Sequence, residues 1–369
     1  MKISLITLHF IKNYGSVLQT YATQEYLKKM GHEVEVVDYW QERFLDKNII
    51  KGSLQFSETW SKSRLKRLVY TMIKLPSMPK IKKVFNTFLK EHINLTPKRY
   101  YNLAMLKKEV PKADIYMTGS DQVWNSCKNP AVNRMYFLDY APKGKKRIAF
   151  AASFGRPELE DWEKEETIEL LQKYDSISVR EKSGEILLKK LGFSNVETVL
   201  DPTLMLNKED WSKIASKRLI KEKYLLMYIL NESKQVDKYV KKVAKRKGLK
   251  VITLAYEYHD MIKYGKTMVC PKIEEFLSLI KYADLVVTDS FHATAFSINF
   301  NTNFVSIYPK RTGTRIQSIL QLTGLENRHI DDLDNLEIVD ENINFTEANQ
   351  KLDEERKHTR EFLEKSIGE

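Results

Sequence analysis

Strand-length apolar runs alternate with helix-length runs along this chain, and the alternation occurs twice. In the first half, residues 3–7 read as a strand, 16–30 as a helix and 33–37 as a second strand. The helix carries Val17, Leu18, Tyr21, Ala22 and Leu27 on one face, and Gly31 stands where a helix-ending glycine belongs. After an interruption come strands at 114–118 and 147–152, a helix over 159–174, a strand at 176–179, a helix over 182–191 and a strand at 196–200. The second half gives strands at 224–230, 250–254, 267–270, 284–288 and 303–307. Helices over 234–247, 273–282, 291–300 and 312–323 lie among them. Strands alternating with helices build parallel sheets. Such sheets bind ligands beyond the carboxyl ends of their strands, so the chemistry should sit at the strand-to-helix corners.

The chain has 369 residues, 42% of them hydrophobic, enough for two cores rather than one. The expected fold class is α/β, with two Rossmann-like domains facing a cleft in the GT-B-like manner. The expected domains are 1–205, with a basic helical insertion at 41–110, and 206–340, followed by a charged C-terminal helix at 341–369. No apolar stretch approaches the ~20 residues of a membrane-spanning helix, and the N-terminal run reads as a strand rather than a leader. Cys127 and Cys270 have no metal or redox spacing and read as thiols of a reducing compartment. Neither the cysteines nor the seven histidines suggest a metal site. The expected setting is cytoplasmic.

The net charge of +12 is concentrated. Residues 62–99 hold eleven Lys/Arg against one acid, Glu91, an excess of ten. Leu65, Leu68, Val69, Met72 and Ile73 fall at helical spacing among these cations. Such a helix can cover a core with its charges solvated, or lie on anionic lipid at the inner face of a membrane. Nucleic acid is not expected, because no recognition motif accompanies the charge.

Six corners carry groups suited to chemistry. Asn13-Tyr14-Gly15-Ser16 opens the first helix, either as a tight turn or as an anion seat. Gly119-Ser120-Asp121-Gln122-Val123-Trp124-Asn125 crowds a carboxylate, hydroxyls, amides and an indole after a strand. It suits a sugar, or a capped turn with Trp124 buried. Ser153 lies in the small-residue loop before Gly155. Arg180 follows a strand, either to clamp phosphate or carboxylate or to form a salt bridge. Ser290-Phe291-His292 opens another helix, either as a cap with a packed histidine or as a titratable site. Lys310, Arg311 and Arg315 follow the next strand and would make a cationic pocket for a small, oxygen-rich anion.

These corners, in this order, resemble the polysaccharide pyruvyl transferase family. The resemblance runs from Asn13-Tyr14-Gly15-Ser16-Val17-Leu18-Gln19 through Gly119-Ser120-Asp121-Gln122-Val123-Trp124, Ser178-Val179-Arg180-Glu181 and Leu200-Asp201-Pro202-Thr203 to Ser290-Phe291-His292-Ala293. It implies phosphoenolpyruvate as donor and co-substrate, with no other cofactor. The product would be a pyruvate ketal on a sugar of a surface polysaccharide or its lipid-linked precursor. Arg180 would hold the donor anion first, with Arg315 and Arg311 second. His292 would be the acid and phosphate contact, made more acidic by its helix N-terminus. Asp121 would accept the hydroxyl proton, and Trp124 and Asn125 would hold the sugar. Many family members carry Arg two residues before the motif histidine. Here that position is Ser290, and Arg315 is the nearest substitute. The rival expectation is a nucleotide-sugar-dependent glycosyltransferase, although no acidic pair that would grip a ribose is evident.

Overall fold

The apolar runs pair into two all-parallel sheets, one in each of two units. A computed structural model describes residues 1–45, 48, 50, 52, 54, 60–126, 131–231, 233–309 and 313–368. Cys127, Lys310 and Arg311 lie outside the described residues. The first unit comprises Met1–Leu45, Leu89–Leu206 and Asp353–Glu369; the second comprises Asp46–Phe88 and Asn207–Leu352.

The first unit opens with β1 (Lys2–Ile6), α1 (Tyr14–Lys29) and β2 (Glu33–Val36). Asn13 caps α1 by accepting from the backbone N–H groups of Gly15 and Ser16, and Gly31 ends the turn at φ +89°. Next along the chain come two basic helices, α2 (Arg64–Lys74), which belongs to the second unit, and α3 (Met78–His92), of which the residues up to Phe88 do. The strands β3 (Ile115–Thr118), β4 (Lys146–Ala152), β5 (Ser176–Val179) and β6 (Val196–Thr198) complete the sheet in the order β2-β1-β3-β4-β5-β6. β3 is buried along its whole length, as a parallel strand covered on both faces must be.

The second unit's sheet contains β7 (Tyr224–Tyr228), β8 (Lys250–Ala255), β9 (Lys266–Val269), β10 (Leu285–Thr288) and β11 (Phe304–Ser306), in the order β11-β10-β7-β8-β9. Between β7 and β8 runs α4 (Lys234–Lys247), whose buried Val236, Tyr239, Val240 and Val243 recur at helical spacing. After β10 come α5 (Phe291–Phe300), β11 and α6 (Gly313–Thr323). The last helix, α7, is Thr346–Ile367.

Two expectations about grouping change. Residues 46–88, read from sequence as insertion in the first domain, belong to the second unit. The last helix divides, with its residues from Asp353 onward in the first unit. The physical reason is non-local packing. In α3, Ile81, Phe85 and Phe88 are buried, and Phe85 stacks on Tyr256 with ring centroids 6.4 Å apart. By contrast, none of the described residues of α2 is buried. The core-covering alternative therefore fails for that helix. No described helix is long and apolar enough to cross a membrane.

Candidate active site

Each sheet has one point where consecutive connections leave in opposite directions, and a crevice forms there beyond the carboxyl ends. In the first unit it lies between β1 and β3; in the second it lies between β7 and β10. The predicted corners fall on both points.

At the β1/β3 point the loops are bound tightly together. Thr7 Oγ1 donates to the Ser120 carbonyl at 2.8 Å. A Cβ on Gly119 would lie 3.0 Å from Leu5 Cδ1 and 3.1 Å from Thr7 Cβ, so the close approach of these strands needs glycine there. Asp121 sits at φ +75°, a left-handed conformation rare outside glycine, asparagine and aspartate. Its Oδ2 accepts from Ser16 Oγ at 2.5 Å, and its Oδ1 accepts from the Gln122 N–H at 2.9 Å. Thus the N-terminus of α1 is pinned to the turn after β3. Asn13 is the helix cap, and Tyr14 is buried beneath it.

Arg180 does not present its charge as a clamp. Its side chain is 1% exposed and points into a ring of carboxylates: Asp201 at 2.8 Å, Asp121 at 3.2 Å and Glu181 at 3.5 Å. Burial works against the guanidinium charge, but Asp201, Asp121 and Glu181 outweigh it and raise its pKa. Ser120 Oγ donates to Asp201 at 3.1 Å, and Ser153 Oγ donates to Glu181 at 2.5 Å. Three carboxylates around one guanidinium leave no positive excess for a phosphate. Their centre is also filled, so they form no metal cage.

Trp124 is likewise not a sugar platform. It is 2% exposed and stacks on Phe137 at 5.4 Å, with Phe154 and Tyr174 around it. Its indole N–H donates to the Tyr136 carbonyl at 3.2 Å. The apolar ring is worth more in this aromatic core than at a polar surface. Asn125 turns back to donate to Gln122 Oε1 at 2.6 Å.

Sequence reasoning missed a second cluster at the same sheet end. The buried His9 places Nε2 3.1 Å from Asp38 Oδ1, and the Trp40 indole N–H donates to that same oxygen at 2.5 Å. Arg99 Nε donates to Asp38 Oδ2 at 2.8 Å. The Trp40 ring carries the Arg99 guanidinium at 4.5 Å and Lys12 Nζ at 5.0 Å. Burial would raise the Asp38 carboxyl, but its hydrogen bond to His9 and the Arg99 cation outweigh that and hold it below the usual carboxylate range. The signal was present. β1 and β2 pair in register from Lys2 to Leu5, so the residues following each strand emerge side by side.

At the β7/β10 point, Asp289 organises the backbone. Its carboxylate accepts from the N–H groups of Leu230 and Asn231 at 2.6 and 2.9 Å, tying the loop after β7 to the loop after β10. Ser290 caps α5, accepting from the Ala293 N–H at 3.4 Å. His292 is the second residue of that ten-residue helix, 7% exposed, with its ring edge-to-face on Phe291 at 5.0 Å. Phe291 also meets Arg315 from the first turn of α6, whose guanidinium lies 5.8 Å from the ring centroid. Phe291 thereby joins the imidazole and a half-buried cation into one cluster.

A family model for polysaccharide pyruvyl transferase matches residues 13–311, most of the chain and parts of both units. The chain belongs to this family. The match begins at the α1 cap and ends before Arg315, so the cation on Phe291 lies outside it. No curated protein matches the chain. Among solved structures, one similar fold is a Listeria monocytogenes protein described as a UDP-N-acetylglucosamine 2-epimerase. It has 12% identity and a TM-score of 0.52, over 96% of this chain and 90% of that one. S. aureus MnaA, in a co-structure with UDP, has 12% identity and a TM-score of 0.51 over 97% and 90%. The UDP-GlcNAc 2-epimerase of Methanocaldococcus jannaschii has 13% identity and a TM-score of 0.50 over 95% and 92%. This likeness is one of fold alone, the two-Rossmann GT-B-like architecture. In this member of the pyruvyl transferase family, Ser290-Phe291-His292 stands at the second switch point, and Arg180 is buried against Asp121 of the loop after β3.

Proposed function

We propose that this pyruvyl transferase uses phosphoenolpyruvate and forms a pyruvate ketal on two hydroxyls of a sugar in a surface polysaccharide or its lipid-linked precursor. The observation that carries the reading is the His292–Phe291–Arg315 cluster at the N-terminus of α5. A helix N-terminus favours an anion, an imidazole can deliver a proton, and a guanidinium pairs with carboxylate or phosphate.

In this reading His292 protonates the methylene carbon of the enol while a sugar hydroxyl adds at C2. The proton of that hydroxyl passes to a carboxylate. The C2–O(phosphate) bond then breaks and releases inorganic phosphate. The second hydroxyl adds to the resulting oxocarbenium carbon and passes its proton to the imidazole left neutral by the first step, while the released phosphate takes the proton held by the carboxylate. One donor and one diol thus give one ketal and one phosphate. Arg315 supplies the charge that Ser290 lacks, while Arg180 maintains the corner that holds Asp121.

Thermal-shift titration tests the donor. Phosphoenolpyruvate should stabilise the protein, and His292→Ala or Arg315→Ala should weaken that stabilisation. Preferential stabilisation by a nucleotide sugar would replace this reading with a glycosyltransferase.

A further inference from the structure

The second unit exposes an apolar ridge bordered by cations. In α2, Leu65 is 71% exposed, Met72 63%, Leu68 57% and Val69 39%, and Leu75 just beyond is 52% exposed. These residues recur at i, i+3, i+4 and i+7, so they form one stripe rather than scattered exposures. Lys62, Arg64, Lys66 and Arg67 are exposed beside it, and no acid occurs between residues 59 and 90.

A second apolar element is fastened next to it. The turn Tyr258–Ile262 exposes Ile262 at 94%, Met261 at 59% and Tyr258 at 40%. The Tyr258 N–H donates to Ser77 Oγ at 2.8 Å, and Lys74 pairs with Glu257. Lys80 Nζ lies 6.0 Å from the Tyr258 ring. Asp260 is turned toward His259 and Lys263 at 3.4 and 3.2 Å, so the acids of the turn are matched within it.

From this we infer that α2 and the Tyr258–Ile262 turn form a docking surface for an anionic lipid bilayer. The apolar side chains of α2 stand exposed along one stripe, which suits insertion among acyl chains. The cations flanking them are of one sign, complementary to anionic headgroups. A nucleic acid offers no place for the leucines and methionines. The ridge would lie at the membrane interface, with its apolar side chains among the acyl chains and its cations at the headgroups. The inference does not rest on the pyruvyl-transfer reading.

Sedimentation of the full chain with vesicles tests it, using phosphatidylcholine alone and phosphatidylcholine with one-third phosphatidylglycerol. We expect retention on the anionic vesicles, falling about five-fold for each of Arg64 and Arg67 changed to Ala and falling with added salt. Leu68→Glu with Met72→Glu should reduce retention more than tenfold. Ile262→Glu alone should also reduce it. All these sites are exposed, so circular dichroism and the melting temperature should not move. Failure of the wild type to sediment at low salt, or full retention of the glutamate variants, would overturn the inference. So would a self-associated form that Leu68→Glu dissociates, because a second copy would then cover the ridge.

Discussion

Replacing Arg180 with Met separates a structural arginine from a donor-binding one. The Arg180 side chain is 1% exposed, as is its partner Asp201, while Asp121 and Glu181 are 8% and 3% exposed. Removing the guanidinium leaves three carboxylates out of water without their cation. Breaking a buried ion pair from one side costs about 3–5 kcal/mol. Against a stability of about 5–15 kcal/mol, that loss is easily measured. Two units with separate sheets can unfold in separate steps, so the first unit's transition must be followed by itself. Trp124, packed on Phe137 in that unit, provides a fluorescence reporter in urea once Trp60 and Trp211, the second unit's tryptophans, are replaced by Phe.

The carboxylates left behind should have raised pKa values, since burial disfavours their charge and no cation remains beside them. They bind protons more tightly folded than unfolded, so the variant's deficit should shrink as pH falls from 7 toward 5. Adding Asp201→Asn should recover part of the loss, because one buried charge is removed. The reasoning is refuted if Arg180→Met is as stable as wild type and only the KM for phosphoenolpyruvate rises. That outcome would make Arg180 a donor clamp.

Trp124→Ala should cost about 3–5 kcal/mol in urea unfolding through loss of a buried aromatic, while sugar affinity of the folded fraction stays unchanged. Arg315→Ala should raise the KM for phosphoenolpyruvate about tenfold or more with little change in stability, measured by initial rates and melting. Asp139 is also predicted to govern acid stability. Burial opposes its charge, but Arg134, Lys107 and Lys173 hold its carboxyl down to about 2. A depressed carboxyl stabilises above its unfolded value and loses that stabilisation as pH falls from about 4 to about 2. Discounted for the half-exposed lysine at position 107, this amounts to roughly 1–2 kcal/mol. Asp139→Asn should flatten urea midpoints over that window.

The sheets were legible because the central strands β3, β7 and β10 are buried throughout and read as apolar runs, and because helices repeat at their own period. β5, α4 and α5 fall on the residues expected. The corners were legible as positions, since strand ends are where an α/β sheet binds. Which way their side chains turn was not. Arg180 meets Asp121 and Asp201, 59 and 21 positions away, and no local pattern encodes that convergence. Trp124 was ambiguous for the same reason, because Phe137, Phe154 and Tyr174 reach it from separate segments. For residues 46–88, amphipathicity announced helices but not the unit they join. The His9–Asp38–Arg99 cluster combines residues from three stretches, and only strand pairing brings the first two together.

The most direct test of the central claim is phosphate release from phosphoenolpyruvate with a panel of free and lipid-linked sugars, coupled to detection of the ketal. The account predicts phosphate and ketal in equal amounts with at least one acceptor, both lost in His292→Ala. Acceptor-dependent phosphate release that persists undiminished in His292→Ala, or a product made only from a nucleotide sugar, would contradict it.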